Sequence, residues 1–203
     1  MPNVVYNSCA VLSWPLLRGL YRLHEAGVEH VPAEEGFVLA ANHVSNFDPF
    51  PLAMPLWPKR QLFFMGKVEL FNPVLGPILR AGGAFPVRRG EGDMEAIAAA
   101  KEICRQGGIV AMFPEGTRQT KGLRKKFAHR PRSGSARIAM EAGVPLVPAA
   151  VKGSDKLLRL HKLKVGYGEP VPYDDLLELP PRDAHQAATE RLMERIYALY
   201  DAL

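Results

Sequence analysis

Two residues in the stretch AANHVSNFDPF, Ala40 to Phe50, could share a proton: His43 and Asp48. A histidine takes a proton from a hydroxyl near neutral pH because its ordinary pKa lies close to that range. A carboxylate on its other ring nitrogen fixes the tautomer and stabilises the imidazolium that forms. Residues five apart do not share a face of a continuous helix, so the pair needs a turn between them. Asp48 before Pro49 supplies one, since Asp as an N-cap and Pro at the first helical position together start a helix. The same residues support a blander reading. Asn42, Ser45, Asn46 and Asp48 are all turn and cap formers, and on this stretch alone a simple turn outweighs catalysis.

A second cluster, FPEGTR, spans Phe113 to Arg118. Arg118 offers a planar fork of donors that matches a phosphate. Gly116 permits a turn whose backbone N–H groups face a ligand, and Thr117 adds a hydroxyl. Glu115 can orient Arg118 or bind a substrate hydroxyl. GGAFPVRR, Gly82 to Arg89, ends a short apolar run in two further arginines, Arg88 and Arg89. For each cluster taken alone, an exposed turn or solvated strand end explains the residues as well.

Other chemistries lack their signatures. No G-x-S-x-G elbow, phosphate-cradling G-x-x-x-x-G-K-[ST], dinucleotide G-x-G-x-x-G or H-E-x-x-H occurs, so no metal or nucleotide cofactor is indicated. Cys9 and Cys104 stand far apart, which argues against a disulfide scaffold or zinc site; both read as small core residues in a reducing compartment.

The elements that must position these groups follow an α/β pattern. Apolar runs at Gly36–Asn42, Gln61–Gly66, Gly83–Val87, Gly108–Pro114, Val144–Val151 and Lys162–Glu169 read as strands. The first, fourth and fifth are apolar throughout, as strands covered on both faces should be. Helices are expected at Asp93–Gln106, Ser133–Ala142 and Asp183–Ala202. The 203 residues suit one α/β domain, a mostly parallel mixed sheet flanked by helices, behind an N-terminal apolar helical segment. The expected division is residues 1–30 for that segment and 31–203 for the domain. NHVSNFD and FPEGTR both follow apolar strands directly, and ligands of such sheets bind beyond the carboxyl ends of the strands.

Net charge is +5, but seven basic residues and no acid lie between Gln119 and Arg137, so the rest of the chain is net acidic. With Phe127 its single interleaved Phe, Tyr or Trp and no recognisable motif, this run reads as an attraction to an anionic lipid surface rather than to nucleic acid. Val4 to Leu17 carries no charge. It is too short to span a bilayer, Pro15 interrupts it, and no signal-peptide pattern surrounds it. It reads equally as a helix lying on a membrane, with Trp14 and Tyr21 at the headgroups, or as one packed on its own domain.

Together the segments resemble the glycerophospholipid acyltransferase family, bacterial 1-acyl-sn-glycerol-3-phosphate acyltransferases in particular. Four ordered blocks carry the resemblance: N-H-x4-D at Asn42 to Asp48, GAFPVRR with Arg88, FPEGTR at Phe113 to Arg118, and VPLVP at Val144 to Pro148. The ordered set reverses the odds for His43 and Asp48.

The resemblance implies a cofactor-free enzyme at the cytoplasmic face of the membrane, peripheral or monotopic. His43, held by Asp48, would deprotonate a glycerol hydroxyl that attacks the thioester of acyl-CoA or acyl carrier protein. Arg88, Glu115, Gly116, Thr117 and Arg118 would bind the acceptor, making phosphatidic acid from a lysophospholipid. Another acceptor (glycerol-3-phosphate, another lysophospholipid or an aminolipid) is the alternative, and a non-catalytic lipid-binding protein is a third reading. One departure stands out: relatives carry a lysine in a short F-K-x-G, whereas here Arg132 lies in FAHRPRSG.

Overall fold

Asn3 starts the first helix by accepting a hydrogen bond from the Tyr6 N–H. The computed structural model describes residues 2–88, 93–116 and 131–203. Its elements run α1 (Val4–Trp14), a π-helical stretch (Pro15–Leu20), β1 (His24–Ala26), β2 (Phe37–Ala41), α2 (Pro49–Ala53), β3 (Leu62–Lys67) and α3 (Leu75–Ala81). They continue with β4 (Ala84–Val87), α4 (Met94–Arg105), β5 (Ile109–Met112), α5 (Gly134–Ala142), β6 (Leu146–Lys152), β7 (Lys164–Tyr167) and α6 (Pro181–Ala202).

The strands form one sheet in the order β1-β7-β6-β2-β5-β3-β4. β2 to β6 run parallel; β7 is antiparallel to β6, and β1 pairs parallel with β7. The expected mostly parallel mixed sheet is therefore observed, with its reversed strands at one edge. Every residue of β2 is buried, because side chains on both its faces meet apolar layers. Phe37, Leu39 and Ala41 join Leu17, Leu52, Ile109 and Tyr167 on one side. Val38 and Ala40 join residues of α4, α5 and α6 on the other. β2 lies between β5 and β6, so the loops that leave these three strands meet at one end of the sheet.

Several expectations need correcting. β1 escaped notice because three residues at an edge, His24 and Ala26 exposed and Glu25 half-buried, carry no apolar pattern. Its place in the sheet means that the packed domain begins before residue 31. Tyr21 is buried in the core, its hydroxyl donating to the Leu157 carbonyl, so it does not face headgroups. Cys104 is buried as expected, but Cys9 is exposed. Asp48 precedes α2 without capping it. The N-terminal segment packs on the domain through one side: Tyr6, Ala10 and, further on, Leu17 face inward, while Val4, Val11, Leu12, Trp14, Leu16 and Leu20 remain exposed.

Asn42 ties the end of β2 to β6. Its amide donates to the Val151 carbonyl at 2.9 Å and accepts from the Val151 N–H at 2.8 Å, fully buried. Removing it leaves two buried backbone groups unpartnered, each costing about 1–3 kcal/mol. Asn42→Ala is therefore expected to destabilise the protein by ~2–4 kcal/mol in urea unfolding; a loss below ~0.5 kcal/mol would contradict this role.

Candidate active site

Beyond the last residue of β2 the chain turns sharply, and the turn is organised around one carboxylate. Asp48 is wholly inaccessible to solvent. Its Oδ2 accepts the N–H groups of Val44 at 2.8 Å and Ser45 at 2.9 Å, and the Nδ1–H of His43 at 2.8 Å. Its Oδ1 accepts the hydroxyl of Ser154. An acceptor-only carboxylate requires the imidazole proton to sit on Nδ1, which leaves Nε2 as the basic nitrogen. Nε2 makes no hydrogen bond among the described residues, and the His43 side chain keeps 16% of its surface exposed. The ring also stacks on Phe113, centroids 4.1 Å apart and planes 16° from parallel, which fixes its orientation.

Phe113 and Glu115 follow β5, the strand beside β2. Glu115 Oε2 accepts the His43 N–H at 3.1 Å and so joins the two strand ends. Its other oxygen, Oε1, is buried with no hydrogen-bond partner among the described residues. Burial, with the Asp48 charge adding to it and the His43 N–H opposing it, raises the Glu115 carboxyl to about 7. Gly116 sits at φ +70°, which favours glycine, and a Cβ there would lie 2.7 Å from Arg132 Nε, a side chain that could give way. Arg132, the residue in place of the expected lysine, thus lies over the turn beside Glu115, held there by its N–H on the Pro114 carbonyl.

The structure brings together His43, Asp48, Glu115 and Gly116. Arg88 is not in that cluster. It is exposed at the end of β4, its N–H donating to Asp93 Oδ2, and β4 lies three strand intervals from β2, about 14 Å of sheet. Thr117 and Arg118 lie outside the described residues, as does most of the basic run, Lys121 to Arg130. Two contributors were missed from sequence. Phe113 was available as the aromatic that opens FPEGTR. Ser154 was signalled only by a Gly-Ser pair after a third apolar strand, β6, which lies next to β2.

A family model described as Acyltransferase matches residues 22–152, more than half of the chain. A 1-acyl-sn-glycerol-3-phosphate acyltransferase of Bacillus subtilis (strain 168) is 34% identical over 191 residues, covering 92% of each chain. The chain belongs to the acyltransferase family. A relative from Streptococcus pneumoniae with the same description is 28% identical over 162 residues, and there the match covers 77% of this chain and 58% of the relative. The fold of the acyltransferase is also that of a crystal structure from Thermotoga maritima, the 1-acyl-sn-glycerophosphate acyltransferase PlsC. The TM-score is 0.68 at 23% identity, covering 96% of this chain and 78% of that one.

The raised Glu115 carboxyl has a consequence for stability. Its pKa rises from 4.5 to about 7 on folding, so between those values the native state binds the extra proton. Stability therefore falls as pH rises through that window, and the full penalty applies above it. Gln keeps the acceptor for the His43 N–H and removes the charge. Glu115→Gln should make the acyltransferase more stable by up to ~3 kcal/mol at pH 8, with the two unfolding curves converging towards pH 4.5. Equal stability of the two forms at pH 8 would refute a buried carboxylate there.

Proposed function

We propose that the acyltransferase moves a fatty acyl group from a thioester, acyl-CoA or acyl carrier protein, to the free hydroxyl of 1-acyl-sn-glycerol-3-phosphate, giving phosphatidic acid. The observation that carries this reading is the His43 ring held by Asp48 at the strand ends, with Nε2 free of hydrogen bonds among the described residues. The Bacillus relative's described activity, over nearly the whole of both chains, supplies the acceptor.

In this reaction Nε2 of His43 accepts the proton of the acceptor hydroxyl as its oxygen attacks the thioester carbonyl. Asp48 stabilises the imidazolium. Collapse of the tetrahedral intermediate forms the ester and breaks the C–S bond, and the imidazolium returns its proton to the departing thiolate. The protein forms no covalent bond to the acyl group. Glu115 and Gly116, beside the base, bind the acceptor together with Thr117 and Arg118, the residues that complete FPEGTR. Arg88, in a cleft with Val68, Phe85, Asp93 and Ala96, engages its phosphate end.

The site works at a membrane surface, on the cytoplasmic face, where both unpaired cysteines remain reduced. No helix among the described residues is long and apolar enough to cross a membrane. The outward side of α1 and the exposed Val74, Leu75 and Ile78 of the neighbouring α3 form the apolar seat. The basic run adds attraction to anionic lipid.

His43→Ala should lower acyl transfer by at least about 1,000-fold while the circular-dichroism spectrum is kept. Retained turnover would remove His43 as the base, and liposome binding without thioester consumption by the parent protein would favour a lipid-binding role. Leu12 and Trp14 are 78% and 50% exposed. Changing both to Glu should weaken binding to phosphatidylglycerol vesicles by ~100-fold; unchanged flotation with the vesicles would place the seat elsewhere.

A further inference from the structure

We propose that Ser154 is a positioning residue for the His43–Asp48 pair: its hydroxyl holds the Asp48 oxygen that His43 does not touch, and so sets the charge and orientation that His43 works against. The inference rests on the reading of His43 as the general base. Ser154 lies two residues beyond the segment matched by the family model, which ends at Lys152.

The argument starts from the unequal loading of the two carboxylate oxygens. Oδ2 has three donors, two of them backbone amides of the turn itself. Oδ1 has one donor among the described residues, the Ser154 hydroxyl. Asp48 is fully buried and Ser154 nearly so, at 2% exposure, so water does not take the place of a lost donor cheaply. The hydroxyl is aimed by the backbone. Gly153 follows β6 at φ +93°, where a Cβ would lie 2.7 Å from the Lys162 carbonyl oxygen. This left-handed step starts a short 3-10 turn, Ser154–Arg159, and turns Ser154 towards the end of β2. The pair is thereby braced from β6 as well as from its own loop.

Removing the hydroxyl leaves a buried anionic oxygen unpartnered. Its negative charge is then less dispersed, so the pair holds the imidazole proton more tightly and the base becomes available only at higher pH. Among the described residues, the other charged groups near the pair are Glu115, from the end of β5, Arg132, over the turn that follows it, and Asp155 and Lys156, both exposed on the turn that carries Ser154. All of them are unchanged in Ser154 variants, so a difference between variants reports the hydroxyl.

The test compares the full-length protein with Ser154→Ala, Ser154→Thr and Ser154→Val, with His43→Ala as the reference. Thr and Val have the same shape and differ in the hydroxyl, which separates hydrogen bonding from packing. Ser154→Ala and Ser154→Val should lower kcat about tenfold with KM unchanged. They should also move the acidic limb of the kcat–pH profile up by half a unit or more, and Ser154→Thr should restore both. A second readout does not need turnover: the ring-proton NMR titration of His43, assigned by its disappearance in His43→Ala, should move the same way in Ala and Val and back in Thr. An unchanged profile and titration in Ser154→Ala, with His43→Ala inactive, overturns the role of Ser154 alone. An active His43→Ala instead overturns the general-base reading, while the NMR titration still decides whether Ser154 controls the pair.

Discussion

The arrangement depends on a charge that has been taken out of water and given four donors in return. A buried carboxylate is tolerated only when its oxygens are satisfied, and Asp48 meets that condition with two amides, an imidazole and a hydroxyl. The donors come from two segments that are far apart in sequence, His43–Ser45 and Ser154. The chain must therefore complete the pairing of β2 with β6 before the carboxylate can be buried without penalty. Asn42, bonded in both directions to Val151, makes that pairing the immediate neighbour of the turn.

Two carboxylates close to one imidazole would repel each other if they had the same surroundings. Here the surroundings differ. Asp48 has a full set of donors, whereas among the described residues Glu115 has one amide and an unpartnered oxygen, and burial lifts its carboxyl to about 7. The acyltransferase therefore has one carboxylate fully provided with donors beneath the ring and one that titrates near neutrality beside it. Phe113 takes up a face of the imidazole and leaves only its edge to exchange protons.

The parts of this design that the sequence displayed are those encoded by local pattern. The fully apolar runs of β2, β5 and β6 announced strands covered on both faces, and the polar residues directly after two of them marked the site. His43 and Asp48 were legible because a stretch of six residues holds both partners. Asp48-Pro49 was rightly read as a turn, but the side chain was assigned the wrong duty: it bonds back to Val44 and Ser45 rather than capping α2. Ser154 was out of reach because nothing between residues 48 and 154 says which strands will be neighbours. β1 was out of reach because an edge strand of three residues needs no apolar repeat. The N-terminal helix posed a choice that its composition could not make, since an apolar residue serves a core and a lipid surface alike.

The sheet order also sorts the site by how readily its parts can open. β2 has a parallel partner on each side and apolar layers on both faces, so the turn carrying His43 hangs from the best-supported strand of the sheet. Arg88 hangs from β4, an edge strand with one neighbour and no fully buried residue. On the proposed function, the base would stand on the stiff anvil at the centre of the sheet and Arg88 on a more compliant jaw at its rim.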